Sequence, residues 1–294
     1  MNILVTGSAG FIGRKIVERL KEKPEVNEVL GVDIIKDENT LVCDIRDYDN
    51  LKKIVDHLKP SIIIHVAAQA YVPRSFSDPV EDATKNIIGT LNILRLTLKY
   101  GSDLIFSSSA AVYGKPSIIP IPETHPTNPI SPYGLSKLTC EKYIQMLYPQ
   151  KSTIIRLSSV YGPQVGKRHG PVNKIIYDVL RNGVCYITGD GNQTRDFTHV
   201  LDVVSAVELI IDKGLTGVYN IGTGVEHSIN DVVKIVEEEL KKSFKIEYLP
   251  KEEGEIERGV LNIEKIKLEG YKPKISLKEG IKDVLNFELN LLKS

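Results

Sequence analysis

Tyr133 and Lys137 stand four residues apart in the stretch SPYGLSK, residues 131–137. Ser followed by Pro is a helix-start signal: the Ser131 hydroxyl can accept from a free amide, and Pro132 suits the first helical position. The phenol and the ammonium then lie one turn apart on the same helical face. A tyrosine loses its proton near pH ~10, too high for a base at neutral pH. A neighbouring cation lowers that value. The pair could therefore draw a proton from a hydroxyl and return it. A surface tyrosine lying along a lysine stem has the same spacing, so the rest of the chain must decide.

The second group with chemical potential is GSAGFIG, with glycines at 7, 10 and 13 and Phe11 and Ile12 between the last two. It follows a β-branched run, NILVT, and opens an amphipathic stretch, RKIVERLKEK. Glycine there lets the chain turn sharply and lets a pyrophosphate approach the amides at a helix N-terminus. Asp33 ends the next apolar run, twenty residues after Gly13. That separation suits a carboxylate bonding an adenosine ribose 2′-hydroxyl, and its charge would repel a 2′-phosphate. NAD is therefore expected rather than NADP. No Gly-Lys-Ser/Thr occurs, which argues against a nucleoside triphosphatase.

These residues need a scaffold. Strand candidates at 2–6, 28–33, 40–44, 61–68, 103–109 and 152–160 alternate with helical patterns at 47–58, 78–100 and 133–148. Several of the strands are apolar on both faces, as a parallel sheet covered by helices requires. The alternation predicts an α/β fold, a doubly wound parallel (Rossmann-type) sheet. After residue 162 Gly and Pro punctuate YGPQVGKRHGP, and KIEYLPKEEGEIERG reads as an irregular charged segment. The expected organisation is a cofactor domain at 1–162 and a smaller C-terminal α/β substrate domain at 163–294. GVYNIG (217–222) could return to the first domain.

Composition narrows the partners. The 294 residues carry Lys+Arg 38 against Asp+Glu 38, so no global field draws the chain to nucleic acid or membrane. Cys43, Cys140 and Cys185 form no CxxC, and the histidines show no HxxxH or HxH spacing. Neither a disulfide framework nor a zinc site is indicated, and free thiols in a reducing compartment are expected. The longest apolar run, IIIHVAA, is too short to cross a bilayer. Strand-like residues from Asn2 onward leave no room for a signal peptide. A soluble, cytoplasmic protein is expected.

The chain resembles the extended short-chain dehydrogenase/reductase family, the sugar-nucleotide epimerases and dehydratases. The likeness runs through GSAGFIG, CDIRD, HVAAQAYV, NIIGTLNIL, FSSSAAVYG, YGLSK, RLSSVYGP, GDGNQTRDFTHVLDVV, YNIGTG and a late ERG, in family order. It implies that Asp44 and Ile45 flank the adenine, that Ala67, Ala68 and Gln69 line the cofactor, and that Asn86 sits in the helix covering the site. Asp44 as a turn residue and Asn86 as a packing amide are equally open. Lys137 would bond the nicotinamide ribose while charging the surroundings of Tyr133. Ser109 would orient the reacting oxygen, with Ser107 and Ser108 in secondary positions.

Two positions choose among the family's reactions. Dehydratases of the family carry an Asp-Glu pair where this chain has Ala110 and Ala111. The resemblance then implies reversible oxidation at a ring carbon, most simply 4-epimerisation of a nucleotide-linked hexose of the UDP-glucose/UDP-galactose type. A related reductase or dehydratase, or a non-catalytic dinucleotide-binding module, are the alternatives. Arg195 and Arg258 match positions that clamp the diphosphate, since an arginine fork suits phosphate. Ser159 replaces a frequent substrate-binding Asn, and Asn262 a frequent Asp. His199 is expected to pack rather than catalyse. Apolar residues beyond one stripe on 78–100 (Ile87, Ile88, Leu91, Leu94, Leu98) and 133–148 (Tyr143, Met146, Leu147) suggest a homodimer joined helix to helix.

Overall fold

The computed structural model describes residues 1–165, 170–251 and 254–293. Residues 166–169 of the Gly/Pro-rich stretch and 252–253 of the charged stretch lie outside them. The chain forms two compact units, one of 1–114, 126–156 and 204–219, the other of 115–125, 157–203 and 220–294.

The first unit starts with β1 (Asn2–Thr6), α1 (Phe11–Leu20), β2 (Glu28–Asp33), β3 (Thr40–Val42), α2 (Tyr48–Leu58) and β4 (Ile62–His65). It continues with α3 (Val72–Ser77), α4 (Pro79–Ala83), a π-helical turn (Thr84–Ile88) and α5 (Gly89–Tyr100). β5 (Asp103–Ser109), a 3₁₀ turn (Ala110–Tyr113), α6 (Pro132–Leu147) and β6 (Ser152–Leu157) follow. Short N-caps set the helix starts: Asp47 accepts from Asn50 N, Asp78 from Glu81 N, and Ser131 from Gly134 N. The pattern at 78–100 is thus not one helix. It passes through the π turn that carries Asn86, a device often found at functional sites.

The remaining elements are β7 (Ser159–Tyr161), α7 (Pro171–Asn182), β8 (Val184–Thr188), β9 (Thr194–Arg195), β10 (Phe197–His199), α8 (Val200–Lys213) and β11 (Gly217–Ile221). Then come β12 (His227–Ser228), α9 (Ile229–Leu240), β13 (Lys245–Leu249), β14 (Arg258–Gly259), α10 (Glu264–Leu268) and α11 (Leu277–Lys293).

A seven-stranded sheet runs β11-β6-β5-β4-β1-β2-β3. β1 lies parallel to both β2 and β4, with Val5 opposite Gly31 on one side and Ile64 on the other. The order reverses between β1 and β4, which opens a crevice at their C-terminal ends, the usual ligand position in such sheets. The doubly wound parallel sheet expected from the sequence is the one observed. Its core joins Leu4, Val32, Ile63 and Phe106 from strands to Leu51, Val55, Ile93 and Ile144 from helices.

The run at 152–160 breaks at Ser158. Ser152–Leu157 stays in the large sheet, whereas Ser159–Tyr161 pairs with β10. In the charged segment, KIEYL is a strand parallel to β8, with Tyr248 opposite Ile187. Its alternating residues have a partner in VCYIT, which the flanking charges conceal. The second unit's core gathers Val172 and Ile176, Ile187, Val232 and Val236, and Ile281 and Val284.

Candidate active site

The glycine loop fills the crevice between β1 and β4. Gly7 has φ +72°, and a Cβ on it would lie 2.7 Å from Ala67 N and 2.8 Å from Ala67 Cα. A Cβ on Gly13 would come within 2.1 Å of Gly7 O. Both positions require glycine because backbone lies against them. Gly10 caps α1 without any side-chain hydrogen bond, and the first turn has no acidic residue. The helix therefore presents its N-terminal amides and positive dipole end with no side-chain cap and no acidic residue in its own first turn. Phe11 and Ile12 open that helix.

Asp33 faces this loop. Its carboxylate accepts from Ala9 N (3.1 Å) and Ile35 N (3.1 Å). Each oxygen keeps acceptor capacity, so a ribose diol could be bound where a second phosphate would be repelled. An uncapped helix start, a cradle that any Cβ would fill and a carboxylate at the next strand end together fit a dinucleotide of the NAD type.

The flanking positions divide. Ala67 lies against Gly7, its amide donating to Thr6 Oγ1 at 3.3 Å, and Ala68 follows it. Ile45 is buried, beneath Gly89, so its side chain is core. Asp44 is bound by Arg46, whose Nη2 lies 2.6 Å from Oδ2, and the guanidinium holds the carboxyl below its usual range. Gln69 and Asn86 serve each other. Gln69 N donates to Asn86 Oδ1 at 2.8 Å, Asn86 Nδ2 returns to Gln69 O at 3.0 Å, and both reach Asp82 Oδ1 at 3.0–3.1 Å. Their amides shape the loop after β4.

At the end of β5 the catalytic candidates meet. Ser131 and Pro132 start α6 as the sequence suggests, with Ser131 Oγ accepting from Gly134 N at 3.1 Å. Gly134 is needed because a Cβ would lie 2.6 Å from Ala111 O. This contact seats the first turn of α6 on the turn that Ser109 caps, where Ser109 Oγ accepts from Ala111 N at 3.2 Å. The Ser109 side chain lies close enough to the Tyr133 phenol to favour its ionised form. Lys137 Nζ donates to Ser107 O at 2.8 Å and lies 4.9 Å from the Phe106 ring centroid.

The electrostatics of the pair follow from burial. Burial pushes the Tyr133 phenol up to about 12, opposed by the nearby Ser109 side chain and reinforced by Asp82 and Cys140. Burial pushes Lys137 down to about 8. Lys137 thus does not by itself bring the phenol into the neutral range. Desolvation is the largest influence on the phenol, as it is on the ammonium.

In the second unit, Ser159 N donates to Asp196 O at 3.0 Å. Arg195 on β9 is largely buried, Nη1 donating to Thr194 O at 2.7 Å and Nη2 lying 3.6 Å from Glu255, and burial lowers its pKa. Arg258 pairs opposite Thr194, one register position away from Arg195. Neighbouring positions on a strand point to opposite faces, so the two arginines leave their strands in different directions. Arg258 is exposed and holds Glu226 with two bonds of 2.7 Å, an ion pair that keeps Glu226 down at about 2. Asn262 turns the chain, its Oδ1 accepting from Glu264 N at 2.9 Å. His199 packs edge-on against Tyr161, as expected.

Comparison with known proteins agrees with this geometry. Residues 3–222 match the model of the NAD dependent epimerase/dehydratase family. The chain belongs to that family. A UDP-glucose 4-epimerase of Mycolicibacterium smegmatis is 34% identical, over 99% of both chains. The crystal structure of UDP-glucose 4-epimerase from Thermotoga maritima with UDP-glucose superposes with TM-score 0.94 at 35% identity, covering 99% of this chain and 100% of that one. The Thermus thermophilus UDP-glucose 4-epimerase in complex with NAD gives TM-score 0.91 at 34% identity, over 98% and 99% of the two chains.

Several residues that organise this epimerase/dehydratase site escape sequence reading. Asp82, buried, ties Gln69 to Asn86; its spacing of four from Asn86 on a helix is the only hint. His65 bridges Thr6 (2.7 Å) and Thr90 (3.0 Å) beneath the crevice. Asp196, buried, accepts from Thr223 N and Oγ1 and from Gly224 N at 2.7–3.1 Å. Asp196 lies 27 and 28 residues from the amides it holds, beyond any local spacing.

Proposed function

We propose that this chain interconverts C4 epimers of a UDP-hexose, UDP-glucose and UDP-galactose, using NAD that it regenerates in each cycle. The observation that carries the reading is Lys137 Nζ fixed on Ser107 O at the end of β5, with the first turn of α6, which carries Tyr133, seated against the turn that Ser109 caps and the glycine cradle two strands away. Bound at that cradle, NAD supplies a reversible two-electron acceptor and a positively charged ring. Tyr133 takes the proton of the substrate 4-hydroxyl and gives it back to the same oxygen, so no proton is consumed overall. Ser109 bonds that oxygen and orients it. Gly7, Gly10 and Gly13 with the start of α1 hold the pyrophosphate, and Asp33 the adenosine ribose.

Ala110 and Ala111 supply neither acid nor base beside Ser109, which favours epimerisation over water loss. Arg195 is the candidate for the substrate diphosphate, because burial leaves its charge short of compensation. Among the described residues no helix is long and apolar enough to cross a membrane. The three cysteines are free and buried, which fits a cytoplasmic setting. Ile88, Leu98, Tyr143, Met146 and Leu147 are exposed, and a second copy would cover them helix to helix; Leu94 is core instead.

The test is conversion of UDP-galactose to UDP-glucose by the purified protein without added cofactor. A requirement for stoichiometric NADH, or release of water seen by mass spectrometry, would replace the reading.

A further inference from the structure

A buried ionic network lies directly behind the catalytic serine. Glu141 and Arg156 are both buried, Arg156 Nε and Nη2 bonding the two carboxylate oxygens at 3.0 and 2.7 Å. The carboxylate also accepts from Ser108 Oγ at 2.5 Å. Arg156 Nη1 donates to Tyr113 OH at 2.9 Å. Taking two charges out of water is costly, and an apolar pair would pack as well. What ions in this arrangement provide is fixed geometry.

The geometry they fix is that of Ser109. Ser108 precedes it directly, and Tyr113 ends the 3₁₀ turn that Ser109 caps. Ser109 is therefore gripped from both sides. Glu141 itself sits on the helical stripe of Tyr133 and Lys137, at steps of four residues along α6. One helix face thus holds two of the three successive serines, Lys137 through Ser107 O and Glu141 through Ser108 Oγ, and brings Tyr133 close to the third, Ser109.

We propose that Glu141, clamped by Arg156, is a positioning residue for the reaction, fixing Ser108 and through it the placement of Ser109 against the Tyr133 hydroxyl. The proposal rests on the reading of Tyr133 as the base. The charged and titratable groups acting on Tyr133 and Lys137 are Asp82 on α4, Cys140 and Glu141 on α6, and the buried His65 of β4 beside Lys137. Of these only Glu141 also bonds the serine strand end through a side chain.

Ser108→Ala tests this, because it cuts the link and leaves the Glu141–Arg156 pair intact. We expect kcat to fall about tenfold or more, since small misplacement of reacting groups is costly. KM for UDP-galactose and bound NAD should hold, while Tm falls modestly as the buried carboxylate loses one donor. The acidic limb of the kcat profile should move to higher pH, because a displaced Ser109 side chain stabilises the phenolate less. In a Tyr133→Phe background the same change should cost nothing further. Parental kcat in Ser108→Ala, or an equal loss in both backgrounds with the limb unmoved, would overturn the proposal. If Tyr133→Phe alone keeps the parental rate, the base assignment fails first, and the positioning role with it.

Discussion

Lys137 Nζ donates to the backbone carbonyl of Ser107 at 2.8 Å, so the ammonium one helical turn beyond Tyr133 is tied to the strand end and not to the phenol. The lysine's hydrogen bond orients it, while its two other N–H groups remain for a ligand hydroxyl. Burial leaves Tyr133 at about 12 and Lys137 at about 8. A positive ring placed beside both groups would favour the phenolate. Acid–base competence and cofactor binding are thus one property of this site.

The glycine cradle predicts a sharp steric result. Gly13→Ala would set a methyl 2.1 Å from Gly7 O, and backbone there can yield only by moving the phosphate loop. We expect destabilisation of about 1–3 kcal/mol and protein purified largely without NAD. Absorbance and mass of the released nucleotide measure this, and full NAD content in the variant would refute the cradle.

His65 makes stability depend on acid. Its folded pKa is pushed down to about 3 by burial, against an ordinary value of 6.5. The unfolded chain therefore binds the extra proton first, and stability present above pH 6.5 is lost as pH falls toward 3. At pH 4.5 the loss from this group is about 2–3 kcal/mol. Urea unfolding at pH 7 and 4.5 should show that difference, and His65→Gln should shrink it. An unchanged pH slope in the variant would remove His65 as its source.

The two arginines should behave differently. Among the described residues the largely buried Arg195 meets one carboxylate, that of Glu255 at 3.6 Å, whereas the Arg258 fork is already occupied by Glu226. Arg195→Met should raise KM for UDP-galactose about tenfold or more, the scale of a charge-assisted bond. Arg258→Met should change KM little. Equal effects in steady-state kinetics would mean that Arg258 leaves Glu226 to bind substrate.

The readable part of the molecule was what depends on local spacing. Ser131-Pro132 is a local helix-start signal that α6 obeys, glycines at 7 and 13 answer backbone approach, and buried strands show as apolar runs. Asp33 was legible because a strand end fixes its distance from the loop. Other features need the third dimension. No spacing shows that Arg195 and Arg258 fall on opposite faces, since that follows from the pairing of Arg258 with Thr194. The Glu141–Arg156 pair joins a helix to a strand, and burial makes it ionic and costly, a fact invisible in composition. KIEYL reads as a charged linker until VCYIT is laid beside it.

The central claim is that the Tyr133 hydroxyl carries the proton of the sugar. The most direct measurement is the single-turnover rate of UDP-galactose conversion by Tyr133→Phe protein that still carries NAD. The account predicts a fall of about 10²–10⁴-fold with the nucleotide retained. A rate within twofold of the parent, at equal NAD content, would contradict it.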